Sequence, residues 1–159
     1  MLSKEHRNVN PFQSIRDYEE YIYTLKQRFP VIERSTLVLI RRGKRVAVLQ
    51  GELSFAGGYR ITIQERLSFD TDQVEIEYYG YELWRSTEKI AWYDAQPHPN
   101  EKTLASTLPH HKHIQPGIKR NRVPAPNMSF TEPNLPALIS EIDDLVTRQG
   151  KTVEEETDK

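Results

Sequence analysis

The stretch YRITIQERLSF, from Tyr59 to Phe69, decides the fold predicted for this chain. Its side chains alternate, with Ile61, Ile63, Leu67 and Phe69 on one face and Arg60, Thr62, Gln64 and Arg66 on the other. A period of two residues is typical of a β-strand that buries one face and exposes the other. The stretch therefore predicts one amphipathic strand in a sheet that is covered on one side.

Four further segments around this stretch also predict strands. Upstream, STLVLIRRGKRVAVLQGELSF contains two β-branched runs separated by a turn, and downstream lie QVEIEYYGYELWRS and KIAWYDA. The glycines of AGG at 56–58 accept positive φ at little cost, which predicts a hairpin turn there. These short strands and turns predict an antiparallel meander of about five strands.

One helix is predicted before the strands and one after the long segment that follows them. In SIRDYEEYIYTLKQRFP, residues 14–30, apolar residues recur at helical spacing, Ser14 can cap the first turn and Pro30 ends the helix. PNLPALISEIDDLVTRQG, residues 133–150, has a similar apolar stripe, with Asn134 as its cap and Gly150 as its end.

The segment from 95 to 131 shows neither the two-residue alternation of a strand nor the apolar spacing of a helix, and it carries six of the ten prolines. Because long connections without regular structure are uncommon unless they have a function, we expect an ordered loop. The outline is an α+β fold: an N-terminal helix, an antiparallel meander of about five strands, this long ordered loop and a C-terminal helix. We predict one domain over residues 1–150 and a disordered acidic tail over 151–159.

The composition excludes several classes of protein. The chain has no cysteine, which excludes disulfides, thiolate nucleophiles and cysteine-based zinc sites. No apolar run approaches the roughly 20 residues that span a membrane. The first residues, MLSKEHRNVNPF, lack the apolar segment of a signal peptide. We therefore expect a cytoplasmic protein without membrane association.

Histidine is concentrated in one part of the chain. Of the five histidines, His110, His111 and His113 lie within TLPHHKHIQPG, and His98 lies just upstream. Histidine can both accept and donate a proton near neutral pH, which suits it to acid–base catalysis. In an extended segment His111 and His113 would share one face, and we expect at least one of the three clustered histidines to be structural.

The same part of the chain is basic, although the formal net charge of the protein is −1. Residues 97–123 carry a charge of +4 before any histidine is protonated, which leaves −5 for the remainder. The basic residues are Lys102, Lys112, Lys119, Arg120 and Arg122, and the one acid is Glu101. Such a patch favours a polyanion such as RNA, with an ordinary solvated loop as the alternative.

Two carboxylates are candidates for proton transfer. Asp94 ends the strand predicted over KIAWYD, on the same side as Trp92, where it could orient a histidine; starting a turn is the alternative role. Glu65 lies in register with the apolar face of its strand, where burial would raise its pKa. For Glu65 the alternatives are a salt bridge to an arginine or an open sheet face.

Metal binding is an open alternative. Histidines together with Asp94 or Glu65 could bind zinc, manganese or iron, although their spacing matches no familiar helical zinc signature. The sequence contains no glycine-rich phosphate loop and no serine-centred elbow. We therefore predict no cofactor, with a divalent metal on histidine and aspartate ligands as the alternative.

Four segments of the chain resemble the TumE-like family of bacterial toxins. They are GELSFAGGYRITIQE, WYDAQPHPN, LPHHKH and EPNLPALISEI, within about residues 21–142, and YDAQPHPN followed by PHHKH is the most specific pair. Family members often read YDNAPHHP where this chain has Ala95 and a single histidine, His98. The resemblance implies a cytoplasmic toxin that a small antitoxin from the same operon neutralises. The polar residues shared with the family fall on Glu65, Asp94, His98, His110, His111, Lys112 and His113.

Taken together, the motifs predict a metal-independent RNA endonuclease in which the ribose 2′-hydroxyl attacks the adjacent phosphate. His111 or His113 would act as base or acid, Lys112 would stabilise the phosphate and Asp94 would orient a histidine. Glu65 and His110 are further catalytic candidates, and the predicted RNA contacts are His98, Lys102, Lys119, Arg120 and Arg122. This hypothesis predicts a cyclic-phosphate product and activity that survives EDTA.

Two other functions remain open at this point. The first is a metal-dependent nuclease or phosphodiesterase, and the second is a non-catalytic module that binds nucleic acid or a protein partner. The predicted partners are a cognate antitoxin and RNA, with a homodimer as a further alternative.

Overall fold

A computed structural model describes residues 10–157 of the chain, with side chains over residues 10–151. Most of the N-terminal segment expected to lack a signal peptide, residues 1–9, and the last two residues of the predicted acidic tail lie outside the described residues. The helices are α1 (Ile15–Tyr23), α2 (Leu25–Arg28) and α3 (Leu135–Thr157), and 3-10 turns occupy Pro11–Gln13, Ala56–Gly58 and Lys102–Thr107. The strands are β1 (Arg34–Ser35), β2 (Val38–Arg42), β3 (Val46–Ser54), β4 (Tyr59–Thr71), β5 (Gln73–Arg85), β6 (Glu88–Asp94), β7 (His111–Ile114) and β8 (Arg122–Pro124).

These strands form one antiparallel sheet of eight strands. Its order is β1-β3-β4-β5-β6-β7-β8. β1 pairs with the end of β3, and β2 pairs with the beginning of β3. From β3 to β7, each strand pairs with the next strand along the chain, as in a meander. The predicted α+β class is confirmed.

The prediction of about five strands is an undercount, because β1, β7 and β8 were not recognised. β1 has two residues, β7 has four and β8 has three including Pro124, so none is long enough to show a period. β7 and β8 lie inside the segment predicted as a long loop. That segment therefore contributes a 3-10 turn and two strands to the fold, and its strands extend the sheet beyond β6.

The helices match their predicted positions but differ at two points. Ser14 caps α1 by accepting a hydrogen bond from the Asp17 amide at 3.1 Å. The single predicted N-terminal helix is divided at Thr24, whose hydroxyl donates to the Glu20 carbonyl at 2.7 Å, a type of bond that bends helices. α3 continues past Gly150 to Thr157, into the segment predicted as a tail.

The helices cover one face of the sheet and leave the other face to solvent. Ile61, Ile63 and Leu67 of β4 are fully buried in a core that includes residues of α1 and α3. On the other face of β4, Gln64 and Arg66 are exposed. The alternation of the stretch from Tyr59 to Phe69 thus predicted the covered face correctly. None of the described helices has the length and apolar character needed to cross a membrane.

Gly51 occupies a position on β3 that has no room for a side chain. Its φ is +136°, and a Cβ there would lie 2.6 Å from the Thr36 carbonyl oxygen, in the link between β1 and β2. We expect Gly51→Ala to lower the free energy of unfolding by about 3 kcal/mol or more, since both backbone strain and overpacking apply. Urea unfolding measures this loss.

Gly43→Ala is the matched control for this substitution. Gly43 also has a positive φ, of +78°, but nothing lies within 4 Å of the added Cβ. Only the left-handed backbone then contributes, at a cost of about 1–2 kcal/mol. Equal losses for the two variants would contradict the proposed steric contact with Thr36.

Candidate functional site

Two rows of side chains cross the solvent-facing side of the sheet. The strand register places Gln64, Gly80, Asp94 and His111 in one row, and Thr62, Glu82, Trp92 and His113 in the next. Because β7 is extended, His111 and His113 share this face, as the sequence predicted for an extended segment. The register thus places both histidines beside the end of β6, where Asp94 lies.

Asp94, His111 and His113 converge in a cluster that we call the His–Asp centre. His111 Nε2 lies 2.8 Å from Asp94 Oδ1, and His113 Nε2 lies 3.3 Å from Asp94 Oδ2. The two Nε2 atoms are 3.1 Å apart, and all three residues are buried. One of the two candidate carboxylates and two of the three clustered histidines therefore form a single site.

Backbone carbonyls fix the outer nitrogen of each ring in the His–Asp centre. His111 Nδ1 donates to the Pro109 carbonyl at 3.1 Å, and His113 Nδ1 donates to the Ile118 carbonyl at 2.8 Å. A carbonyl oxygen only accepts, so Nδ1 carries the proton in both rings and Nε2 of a neutral ring presents a lone pair. Two such lone pairs and one carboxylate point into the same small volume.

Two aromatic rings cover the His–Asp centre. Trp92 stacks on His113 with 4.2 Å between ring centroids, and His98 lies edge-on to His111 at 4.9 Å. Burial lowers the pKa of His113, outweighing the Ile118 carbonyl and Asp94, which raise it, so the neutral form is favoured. His98 is half-buried, and its ring has no hydrogen-bond partner within residues 10–151.

A groove of about 440 Å³ lies on the same face as the His–Asp centre. Trp92 and Gly80 belong both to the groove lining and to the two rows, and Gly80 places no side chain opposite Asp94. Tyr78 lines the groove with 55% of its surface exposed. Sequence reasoning did not assign Tyr78, Gly80 or Trp92 to the site, although alternation from Asp94 already placed Trp92 on its side of the strand.

Lys112 and His110 do not join the His–Asp centre. Lys112 lies between the two histidines of β7, so the strand period directs it to the helix-covered face, where its Nζ pairs with Glu141 of α3. His110 Nδ1 is 2.6 Å from the Tyr79 hydroxyl, and the two rings stack. Lys112 therefore lies on the other side of the sheet from these histidines, and His110 contacts Tyr79 rather than Asp94.

Glu65 also lies on the helix-covered face, with the sheet between it and the His–Asp centre. Its carboxylate is fully buried and accepts hydrogen bonds from the hydroxyls of Tyr18 and Tyr81. Asn134 in turn donates to the Tyr81 hydroxyl at 3.1 Å. Burial raises the pKa of Glu65, as expected, and the two tyrosine donors partly oppose this. Helices and the end of the long segment cover this face, on the opposite side of the sheet from Asp94, so Glu65 does not lie with the His–Asp centre.

The predicted basic residues lie on segments next to the His–Asp centre in the chain, and none of them belongs to it. Lys119 and Arg120 follow Ile118, the residue whose carbonyl holds His113, and both are exposed. Lys102 is exposed as well, and none of these three forms an ion pair within the described side chains. Arg122 pairs with Glu101 and lies opposite His113 in the register.

The spacing within the His–Asp centre restricts its chemistry. Both Nε2 atoms face Asp94 and lie 3.1 Å apart, so the two rings point toward each other rather than flanking an open space. The roles predicted for the two histidines at a phosphate stay predictions. The same three side chains each offer one atom that could bind a common metal ion.

A family model described as Toxin TumE matches residues 20–146 of the chain. The matched range contains all eight strands and the His–Asp centre. No curated protein and no solved structure matches the chain. The match agrees with the resemblance carried by the four sequence segments, and a toxin of this kind suggests an antitoxin as its partner.

Proposed function

The chain belongs to the TumE toxin family, and from this premise we propose that it acts by cleaving RNA at the His–Asp centre. The observation that carries the proposal is the convergence of Asp94, His111 and His113 beside an open groove. Buried, mutually oriented titratable groups next to a groove are the usual mark of a catalytic site.

Single-stranded RNA is the substrate that this face of the sheet favours. Tyr78 and Trp92 present aromatic surface in the groove, and stacking on aromatic rings is how proteins bind unpaired bases. Lys102, Lys119 and Arg120 add positive charge around the centre, which attracts the phosphate backbone.

In the proposed reaction, the ribose 2′-oxygen forms a bond to phosphorus as the bond from phosphorus to the 5′-oxygen breaks. The His–Asp centre accepts the proton of the 2′-hydroxyl. His98, which lies against His111 with no hydrogen-bond partner among the described side chains, donates a proton to the leaving 5′-oxygen. The products are a 2′,3′-cyclic phosphate and a 5′-hydroxyl.

The proposal is tested by incubating the purified protein with end-labelled single-stranded RNA and with DNA of the same sequence. We expect the RNA to be cut to fragments with cyclic-phosphate ends and the DNA to remain intact, because it lacks the 2′-hydroxyl. RNA that is bound with a steep salt dependence but stays uncut would overturn the proposal and select the non-catalytic binding module.

Tyr78→Ala is expected to weaken RNA binding by roughly 5–150-fold, which corresponds to the loss of about 1–3 kcal/mol of base stacking. The ring is mostly exposed, so its removal should leave the fold intact. Fluorescence anisotropy with labelled RNA measures the affinity. Tyr23→Ala is the matched control, because Tyr23 is exposed to 59% and does not line the groove. Equal losses for both variants would contradict the assignment of the groove.

A further inference from the structure

The distances within the His–Asp centre are those of ligand atoms around one metal ion. Zinc binds imidazole nitrogen at about 2.0–2.1 Å in tetrahedral geometry, which separates two ligand atoms by about 3.3 Å. The separations here are 3.1 Å between the two Nε2 atoms, 2.8 Å from His111 Nε2 to Asp94 Oδ1 and 3.3 Å from His113 Nε2 to Asp94 Oδ2. From this geometry we propose that Asp94, His111 and His113 bind one divalent transition-metal ion, and that zinc fits the site best.

With both rings neutral, these three groups present only lone pairs to one another. Each Nδ1 proton is donated outward to a carbonyl, so only additional protons on Nε2 could bridge the cluster. One added proton leaves a nitrogen lone pair facing other acceptors, and two place positively charged rings 3.1 Å apart at their Nε2 atoms. A divalent cation at the centre accepts all three ligand atoms at once.

The surroundings hold each ligand in the orientation that a metal needs. The carbonyls of Pro109 and Ile118 fix the two rings, and the Gln96 amide donates to Asp94 Oδ1 at 3.0 Å. Histidine ligands in metal sites almost always donate the other ring N–H to a carbonyl, carboxylate or water. Both histidines of the centre meet this requirement.

The donor set selects the class of ion. Two imidazole nitrogens and one carboxylate suit zinc, iron(II) or manganese, whereas magnesium and calcium prefer sites made of oxygen alone. Three protein ligands leave a position for a water molecule, as in catalytic zinc sites, and with both ring nitrogens bound to the ion this water would be the base that accepts the 2′-hydroxyl proton. That catalytic role rests on the proposed function, whereas binding of the ion does not.

The test measures metal in the purified full-length chain without RNA. After purification with zinc and dialysis, we expect elemental analysis to find one zinc per chain. Cobalt(II) should give the visible absorption of a bound ion, which zinc displaces and magnesium does not. His111→Ala and His113→Ala should each reduce the bound zinc to background. His110→Gln should retain it, because this neighbouring histidine binds Tyr79 instead.

Asp94→Asn is a second variant, which replaces the carboxylate ligand with an amide of the same shape. Circular dichroism confirms the folding of each variant. The metal proposal is overturned if the wild type holds no zinc, or if folded His111→Ala and His113→Ala chains hold as much as the wild type. Assaying the same samples with RNA separates the two proposals. Zinc binding without RNA cleavage overturns only the ribonuclease, and cleavage by metal-free protein in EDTA overturns only the catalytic role of the ion.

Discussion

Replacement of both His111 and His113 by alanine is expected to abolish growth arrest when the toxin is expressed. The two rings supply both nitrogen atoms of the His–Asp centre. Loss of acid–base function alone costs about 10²–10⁴-fold in rate, so RNA cleavage should fall at least that far. Growth curves after induction, with equal protein amounts confirmed by immunoblotting, measure the effect.

His110→Gln is the control that makes this experiment specific. His110 is adjacent in sequence, but its ring contacts Tyr79 and Phe130 rather than Asp94. The single variant should therefore remain toxic. A fully toxic double variant of His111 and His113, or a His110 variant that is equally harmless, would contradict the assignment of the His–Asp centre.

Tyr18→Phe is expected to destabilise the protein strongly at neutral pH. The Tyr18 hydroxyl donates to the Glu65 carboxylate, which is fully buried and has no cationic partner among the described residues. Removing one donor to a buried charged group costs about 2–3 kcal/mol. Urea unfolding of the wild type and the variant measures the difference, with Tyr78→Phe as the control for an exposed tyrosine.

The same residue predicts how stability depends on pH. Burial raises the pKa of Glu65 above its ordinary value of 4.5, so the folded chain binds this proton more tightly than the unfolded chain. Glu65 therefore contributes most to the free energy of unfolding when the pH is below its ordinary pKa. This contribution is lost as the pH rises through its raised pKa in the folded chain. Tyr18 and Tyr81 stay neutral in this range because burial raises the pKa of both hydroxyls well above 10.0. Tyr18→Phe should raise the pKa of Glu65 further, which extends the pH range over which this contribution persists.

Glu65→Gln removes the titrating group and should flatten this part of the pH profile. Unfolding free energies of the wild type and Glu65→Gln across the acidic to neutral range provide the comparison. A wild type that gains stability relative to Glu65→Gln as the pH rises would contradict the raised pKa.

The sequence could predict the parts of the molecule whose helices and strands are long enough to show a regular spacing of apolar residues. The β4 alternation identified the covered face, and the spacing of Ser14 and Asp17 identified the first helix cap. The placement of Asp94 on the same side as Trp92 was also correct, because both lie in a strand long enough to count along.

The site residues that lie apart in the structure are on opposite faces of the sheet. β7 has only four residues, so the sequence could not show that it is extended, although an extended segment already predicts that Lys112 faces away from His111 and His113. Glu65 was a candidate for proton transfer because its register with the apolar face predicts burial and a raised pKa, and both are found. Only the register and the packing of α1 show that the sheet separates it from Asp94.

Asp94→Asn is the sharpest test of RNA cleavage by the His–Asp centre, because it changes one charge and almost no volume. The measurement is the initial rate at which equal amounts of folded wild type and variant cut one end-labelled RNA. We expect the wild type to cleave the RNA and the variant to be slower by at least about 10²-fold. Cleavage at the wild-type rate by Asp94→Asn would contradict this role of the centre.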